Sequence, residues 1–141
     1  MIEIKFSEND VELEDMDRIN YLLTQLSTNS KIATHDHISN VMKNGAIFTA
    51  RNEGVLVGMA TLTFIYKPTA FFGTTEDVVV DEKFRSQGIA KSLMNQMILK
   101  AKEIGMDRID LTSKPTREKA NAFYSSIGFE KRDTNVYRLK L

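Results

Sequence analysis

The run Val78-Val79-Val80 sets three β-branched residues side by side with no polar alternation. Such a run suits a strand covered on both faces, the situation in a parallel sheet flanked by helices. After it comes FRSQGIAKSL, Phe84 to Leu93, which holds the small residues Gly88 and Ala90 behind a basic one. Ile89, Leu93, Met97 and Ala101 then recur at spacing four, and Ala90, Met94 and Ile98 fill the adjoining row. That pattern predicts an amphipathic helix to about Ile104, ended by Gly105. Arg108 to Thr112 follows as a short strand with Ile109 and Leu111 on one side. Strand, crossover helix and strand make a parallel βαβ unit, around which the rest must arrange itself.

Ile2, Ile4 and Phe6 alternate with charged residues, as in a strand with one buried face. Glu14 to Leu26 carries Met16, Ile19, Leu22, Leu23 and Leu26 at helical spacing, and a second helix is predicted over Asp36–Lys43, capped by Asp36. Ala46–Arg51 and Val55–Ile65 are predicted strands joined at Asn52-Glu53-Gly54, a hairpin signal. Gly73–Val80 is the next strand. Beyond the βαβ unit, a helix is predicted over Arg117–Ser126, stopped at Gly128, and Phe129–Lys131 and Val136–Leu141 close the chain as strands.

With 141 residues the chain is long enough for one domain with its own core. Nineteen basic and nineteen acidic residues cancel, so no general field favours nucleic acid or an anionic membrane. The absence of cysteine excludes disulfides, thiolate metal sites and a cysteine nucleophile. His35 and His37, two apart, do not make a metal site, and no metal is expected. The opening MIEIKFSEND lacks the features of a signal peptide, and a cytoplasmic protein is expected.

The turn at Phe84–Leu93 links the carboxyl end of a buried strand to the amino end of a long helix. Free N–H groups and the helix dipole at such a place suit an anion. Gly88 and Ala90 let a phosphate approach the backbone, Arg85 adds a forked cation, and Ser92 a hydroxyl one turn in. The spacing is neither that of a Walker loop nor that of the dinucleotide fingerprint.

Arg85-Ser86-Gln87-Gly88-Ile89-Ala90 resembles the (Gln/Arg)-x-x-Gly-x-(Gly/Ala) signature of the GNAT superfamily of acetyl-CoA-dependent N-acetyltransferases. EDVVVDEKFRSQGIAKSLM is similar to that family's fourth strand, pyrophosphate loop and third helix. ANAFYSSIGFEKR resembles its second signature, with Asn121, Phe123, Tyr124, Gly128 and Phe129 in place. The resemblance covers roughly Gly45 to Leu141, and the segment before it fits only as strand, helix, helix. Ala90 stands where many members have glycine.

The resemblance implies one α/β domain over residues 1–141. Its mixed, mostly antiparallel sheet would have six or seven strands, helices on both faces, and a central parallel βαβ unit splayed at the fourth and fifth strands. It implies acetyl-CoA as donor, with the pantetheine arm along Glu76–Val80 on the backbone of Val78 and Val80. The pyrophosphate would lie on the N–H groups of Gln87, Gly88, Ile89, Ala90 and Lys91, near Arg85. Asn121 would bond the pantetheine arm, and Tyr124 would protonate the departing thiolate.

The residue types fit that chemistry. An alkylamine acceptor with a pKa of about 10.4 is protonated at neutral pH, so a base or ordered water helps expose its lone pair. Glu76 and Asp77 are expected on opposite faces of their strand, with Glu76 first as base and Asp77 behind it. Without cysteine, direct attack of the amine in a ternary complex is expected, with an oxyanion contact at the Val79 N–H. The acceptor reads as a primary amine on a small molecule. Acetylation of a protein terminus or lysine, and a non-catalytic CoA-binding regulatory module, are the alternatives. Arg117 could pair with an anionic acceptor, and Phe71-Phe72 could cover the acceptor site, join a homodimer, or lie in the core.

Overall fold

The computed structural model describes residues 3–27 and 31–141; Ile2, expected in the first strand, lies outside them. The chain divides into two compact units, the first ending at Leu111 and the second spanning Thr112–Leu141. The first holds β1 (Ile4–Glu8), α1 (Met16–Leu26), α2 (His35–Lys43), β2 (Gly45–Asn52), β3 (Val55–Lys67), β4 (Ala70–Val80), α3 (Ile89–Glu103) and β5 (Ile109–Asp110). The strands lie side by side in chain order, antiparallel from β1 to β4 and parallel between β4 and β5.

The β2–β3 hairpin forms where the Asn-Glu-Gly signal stands. Glu53 and Gly54 have φ of 50° and 81°, so both central residues are left-handed and Asn52 pairs with Val55. Thr34, rather than Asp36, caps α2: its hydroxyl accepts from the His37 N–H at 3.2 Å. Asp36 instead falls in the first turn, where its charge complements the helix dipole. α1 starts at Met16, two residues after the expected Glu14, because Leu13–Asp15 tighten into a 3₁₀ turn closed by the Asp15 carboxylate on the Glu12 N–H.

Helices cover both faces of the sheet. Ile47, Met59 and Val79 pack with Ile19 and Leu22 of α1 and Ile38 of α2. On the other face Gly58 admits α3: a Cβ there would stand 3.2 Å from Ile89 Cγ2 and 3.4 Å from Leu93 Cδ1. Leu93, Met94 and Met97 of α3 are fully buried, worth roughly 1.5–3 kcal/mol each. Their spacing is the one that marked the helix in the sequence. No described helix is long and apolar enough to cross a membrane.

The second unit contains α4 (Glu118–Ser126) and no strand among its described residues. Among the described residues the sheet therefore has five strands, where six or seven were expected. Phe129–Lys131 and Val136–Leu141 lack strand structure, and β5 spans two residues rather than Arg108–Thr112. Alternation supplies an apolar face but not the neighbouring backbone that a strand must bond to. Val136, Tyr137 and Leu139 accordingly stay 74%, 87% and 84% exposed.

Candidate active site

The ladder between β4 and β5 consists of Gly73 opposite Ile109 and Thr74 opposite Asp110. From Thr75 to Val80, β4 has β3 on one side and no strand partner on the other within this unit. The parallel pair thus opens along the half of β4 that carries Glu76–Val80. Val79 and Val80 are buried and Val78 half-buried.

Inside this open half the register to β3 slips. Met59 faces Val79 and Thr61 faces Glu76, so the intervening Asp77 and Val78 meet a single residue of β3. The extra residue is a β-bulge, and Asp77 takes φ 48° to make it. That region disfavours L-residues, with Asp among the more tolerant. The expected placement of Glu76 and Asp77 on opposite faces is therefore wrong. The bulge cancels the alternation, and both carboxylates line one cavity of about 270 Å³.

Leu23, Ile38, Val41, Ile47 and Met59 supply the apolar wall of that cavity. Its polar groups include Thr61, His37, Glu76 and Asp77. The carboxylates keep an open side to solvent, yet the protein around Asp77 desolvates its carboxyl and raises its pKa above the ordinary value. Spacing alone did not indicate Thr61, Met59 or Ile38 as site residues; the only signal was their inward place in predicted elements.

At the carboxyl end of β4, Asp81 is 1% exposed and anchors the following loop. Its carboxylate accepts from the Lys83 N–H at 3.1 Å and from the Arg18 guanidinium, while Arg18 Nε donates to the Leu56 carbonyl at 2.6 Å. Burial alone would raise the Asp81 pKa, but the Lys83 N–H and Arg18 outweigh it and hold the carboxyl below its ordinary value. Arg18 lies 63 residues from Asp81, and no spacing rule could have joined them.

The loop then turns through Ser86 at φ 63° and Gly88 at φ 78°, and Gly88 opens α3. Ser92 N–H returns to the Gly88 carbonyl at 3.0 Å. The N–H groups of Gln87, Gly88, Ile89, Ala90 and Lys91 have no protein acceptor among the described residues. The Ile89 side chain is 3% exposed and belongs to the core, so only its backbone is available. Arg85 folds back, its Nε donating to the Val80 carbonyl at 3.0 Å. That carbonyl is thereby engaged within the protein, while the Arg85 terminal nitrogens stay free among the described residues.

Asn121 and Tyr124 belong to the second unit, both on α4. The Asn121 amide donates to the Lys114 carbonyl at 3.0 Å, which fixes the entry to the helix. Tyr124 is half-buried between Phe123 and Phe129, with ring centroids 5.5 and 6.0 Å away. Burial raises its hydroxyl pKa, and the nearby Arg117 cation opposes that rise. No group of three His, Cys, Asp or Glu side chains suited to a metal occurs among the described residues.

An open-edged, bulged strand of an α/β fold runs into an anion-ready helix start, and comparison with known proteins gives the family. The chain belongs to the Acetyltransferase (GNAT) family, whose sequence model matches residues 12–129. A search of curated proteins gave no match. Solved structures share the fold. An acetyltransferase from Trypanosoma brucei is 24% identical with a TM-score of 0.80, the alignment covering 99% of this chain and 100% of that one. A ribosomal-protein-alanine N-acetyltransferase from Brucella melitensis is 20% identical, TM-score 0.77, with 99% of each chain covered. An aminoglycoside N-acetyltransferase in complex with CoA is 18% identical, TM-score 0.82, covering 99% of this chain and 96% of that one.

Proposed function

We propose that this protein is an N-acetyltransferase that moves the acetyl group of acetyl-CoA to a primary amine of a small molecule. The observation that carries the reading is the row of unpartnered N–H groups from Gln87 to Lys91, led by left-handed Gly88, at the end of a strand with an open edge. That row suits a pyrophosphate in charge, and the space beside Gly88 is open: a Cβ there would meet nothing within 4 Å. In this reading residues 1–141 are one functional domain, which a family match over residues 12–129, entering both compact units, supports. A cytoplasmic setting goes with a cysteine-free chain.

Acetyl-CoA would supply an activated acyl carbon: the amine nitrogen bonds to it, the C–S bond breaks, and the sulfur leaves as thiolate to become CoA thiol. Asp77 and Glu76 take the ammonium proton, directly or through water. Desolvation raises the Asp77 pKa, which suits it to accepting a proton. The register turns the Val79 N–H toward β3, as it does the Asp81 N–H on the Val57 carbonyl, so the oxyanion contact expected at Val79 is dropped and the Val78 backbone is the main hold on the pantetheine arm. Tyr124, kept protonated by its raised pKa, returns one proton to the sulfur. Asn121 uses its remaining amide oxygen for the same arm. One proton is released to solvent per turnover.

The direct test is thiol release from acetyl-CoA with a panel of amines and peptides. Amine-dependent release supports catalysis. CoA binding without release from any amine would favour the regulatory-module reading, and release with peptides alone would favour protein acetylation.

A further inference from the structure

We infer that the acceptor is a small cationic amine with an apolar body and no carboxylate of its own. Its ammonium would lie at Glu76 and Asp77 and its body among Ile38, Val41 and Met59. The inference rests on the acetyl-transfer reading and names the substrate class for its site.

Charge is the first support. The cavity is lined by two carboxylates, one imidazole, that of His37, and no lysine or arginine. An ammonium is attracted there, whereas a carboxylate on the same ligand would meet like charge in a partly desolvated place. Size is the second. About 270 Å³ falls just below the roughly 300–1,000 Å³ of pockets for drug-sized ligands, which leaves room for one ring or a short chain.

Polarity is the third support, and it separates amines from amino sugars. Met59 and Ile47 are 2% and 0% exposed, so the floor offers packing and no hydrogen bonds. A polyhydroxylated ligand would lose its water there without replacement. Besides the carboxylates, His37, Thr63 and Thr61 line the cavity, and the Thr63 hydroxyl is already engaged with that of Thr74. Thr61 is 7% exposed, and its hydroxyl has no protein partner among the described residues. It lies opposite Glu76 in the register, so a ligand N–H can be held between hydroxyl and carboxylate.

The test compares benzylamine with phenylglycine, which is the same molecule bearing a carboxylate, and with the amino sugar kanamycin. Binding is read on the full chain by melting-point shift with CoA present, and turnover by thiol release. Benzylamine should raise the melting point and exceed both rivals at least tenfold in kcat/KM. Val41→Phe should weaken benzylamine at least tenfold and leave the melting response to CoA unchanged. No melting response to benzylamine overturns the inference. So does phenylglycine or kanamycin equalling benzylamine in kcat/KM, or a Val41→Phe protein that binds it as well as the wild type. Benzylamine binding without thiol release supports the inference and defeats the acetyl-transfer reading, so the two failures are distinct.

Discussion

Glu76 and Asp77 are consecutive on β4 and yet line the same cavity, because the Asp77 backbone turns to φ 48° and inserts a bulge opposite β3. Two adjacent carboxylates on one wall can hold an ammonium and remove its proton. A regular strand would have sent one of them to the α3 face.

Asp77 separates activity from stability. Its folded pKa lies above the ordinary 3.8, so the folded protein holds this proton more tightly than the unfolded chain. The stabilisation that Asp77 gives is present at low pH and is lost as pH rises through the folded pKa. Asp77→Asn carries no charge to desolvate, and Asn tolerates left-handed φ. The variant should be at least as stable as wild type at pH 7 in urea titration, while kcat falls about 100-fold. A large loss of stability with kcat retained would contradict the assignment.

Breaking the pair of Asp81 and Arg18 has the opposite pH signature. Asp81→Ala leaves Arg18 without its buried partner and should cost about 3 kcal/mol in urea unfolding at pH 7. The folded pKa of Asp81 is depressed, so its contribution is present above the ordinary carboxylate pKa and lost as pH falls through the folded value. The gap between wild type and variant should therefore narrow in acid. A gap constant between pH 7 and pH 3 would rule out the ion pair as its source.

How much of this was legible depends on range. Val78–Val80 and the four-residue spacing from Ile89 to Ala101 mark the strand and α3 because both patterns are local and both faces of that strand are covered. Gly88 could be singled out before its φ was known, since a strand-to-helix turn beside a basic residue needs it. The bulge could not, because EDVVV carries no glycine or asparagine to announce one. Val136–Leu141 misled for a different reason: its alternation satisfies a strand's side chains but says nothing of a backbone partner. Arg18 and Asp81 meet through the fold alone.

Gly88→Val tests the loop. A valine at φ 78° costs about 1–2 kcal/mol in backbone strain, with no clash to add, since a Cβ there meets nothing within 4 Å. The strain would shift the backbone that presents the free N–H row. Calorimetric titration should show CoA affinity at least tenfold weaker, with the far-ultraviolet spectrum unchanged. Unaltered CoA affinity would place the pyrophosphate elsewhere.

Tyr124→Phe removes the proposed acid and keeps the ring between Phe123 and Phe129. It should lower kcat about 100-fold with little change in the KM for acetyl-CoA. In the wild type the raised pKa keeps the hydroxyl protonated beyond the ordinary tyrosine range, so the midpoint of any rate loss from this group should lie above pH 10. Full activity in the Phe variant would remove Tyr124 from the chemistry.

The most direct measurement is the melting temperature of the full chain titrated with CoA. A ligand that binds only the folded state at about 100 times its Kd adds about 2.7 kcal/mol, a rise of roughly 5–10 °C for a chain of this size. The account predicts such a rise, dependent on CoA concentration and cut to about half or less in Gly88→Val at the same CoA concentration. A melting temperature unmoved by millimolar CoA would contradict it.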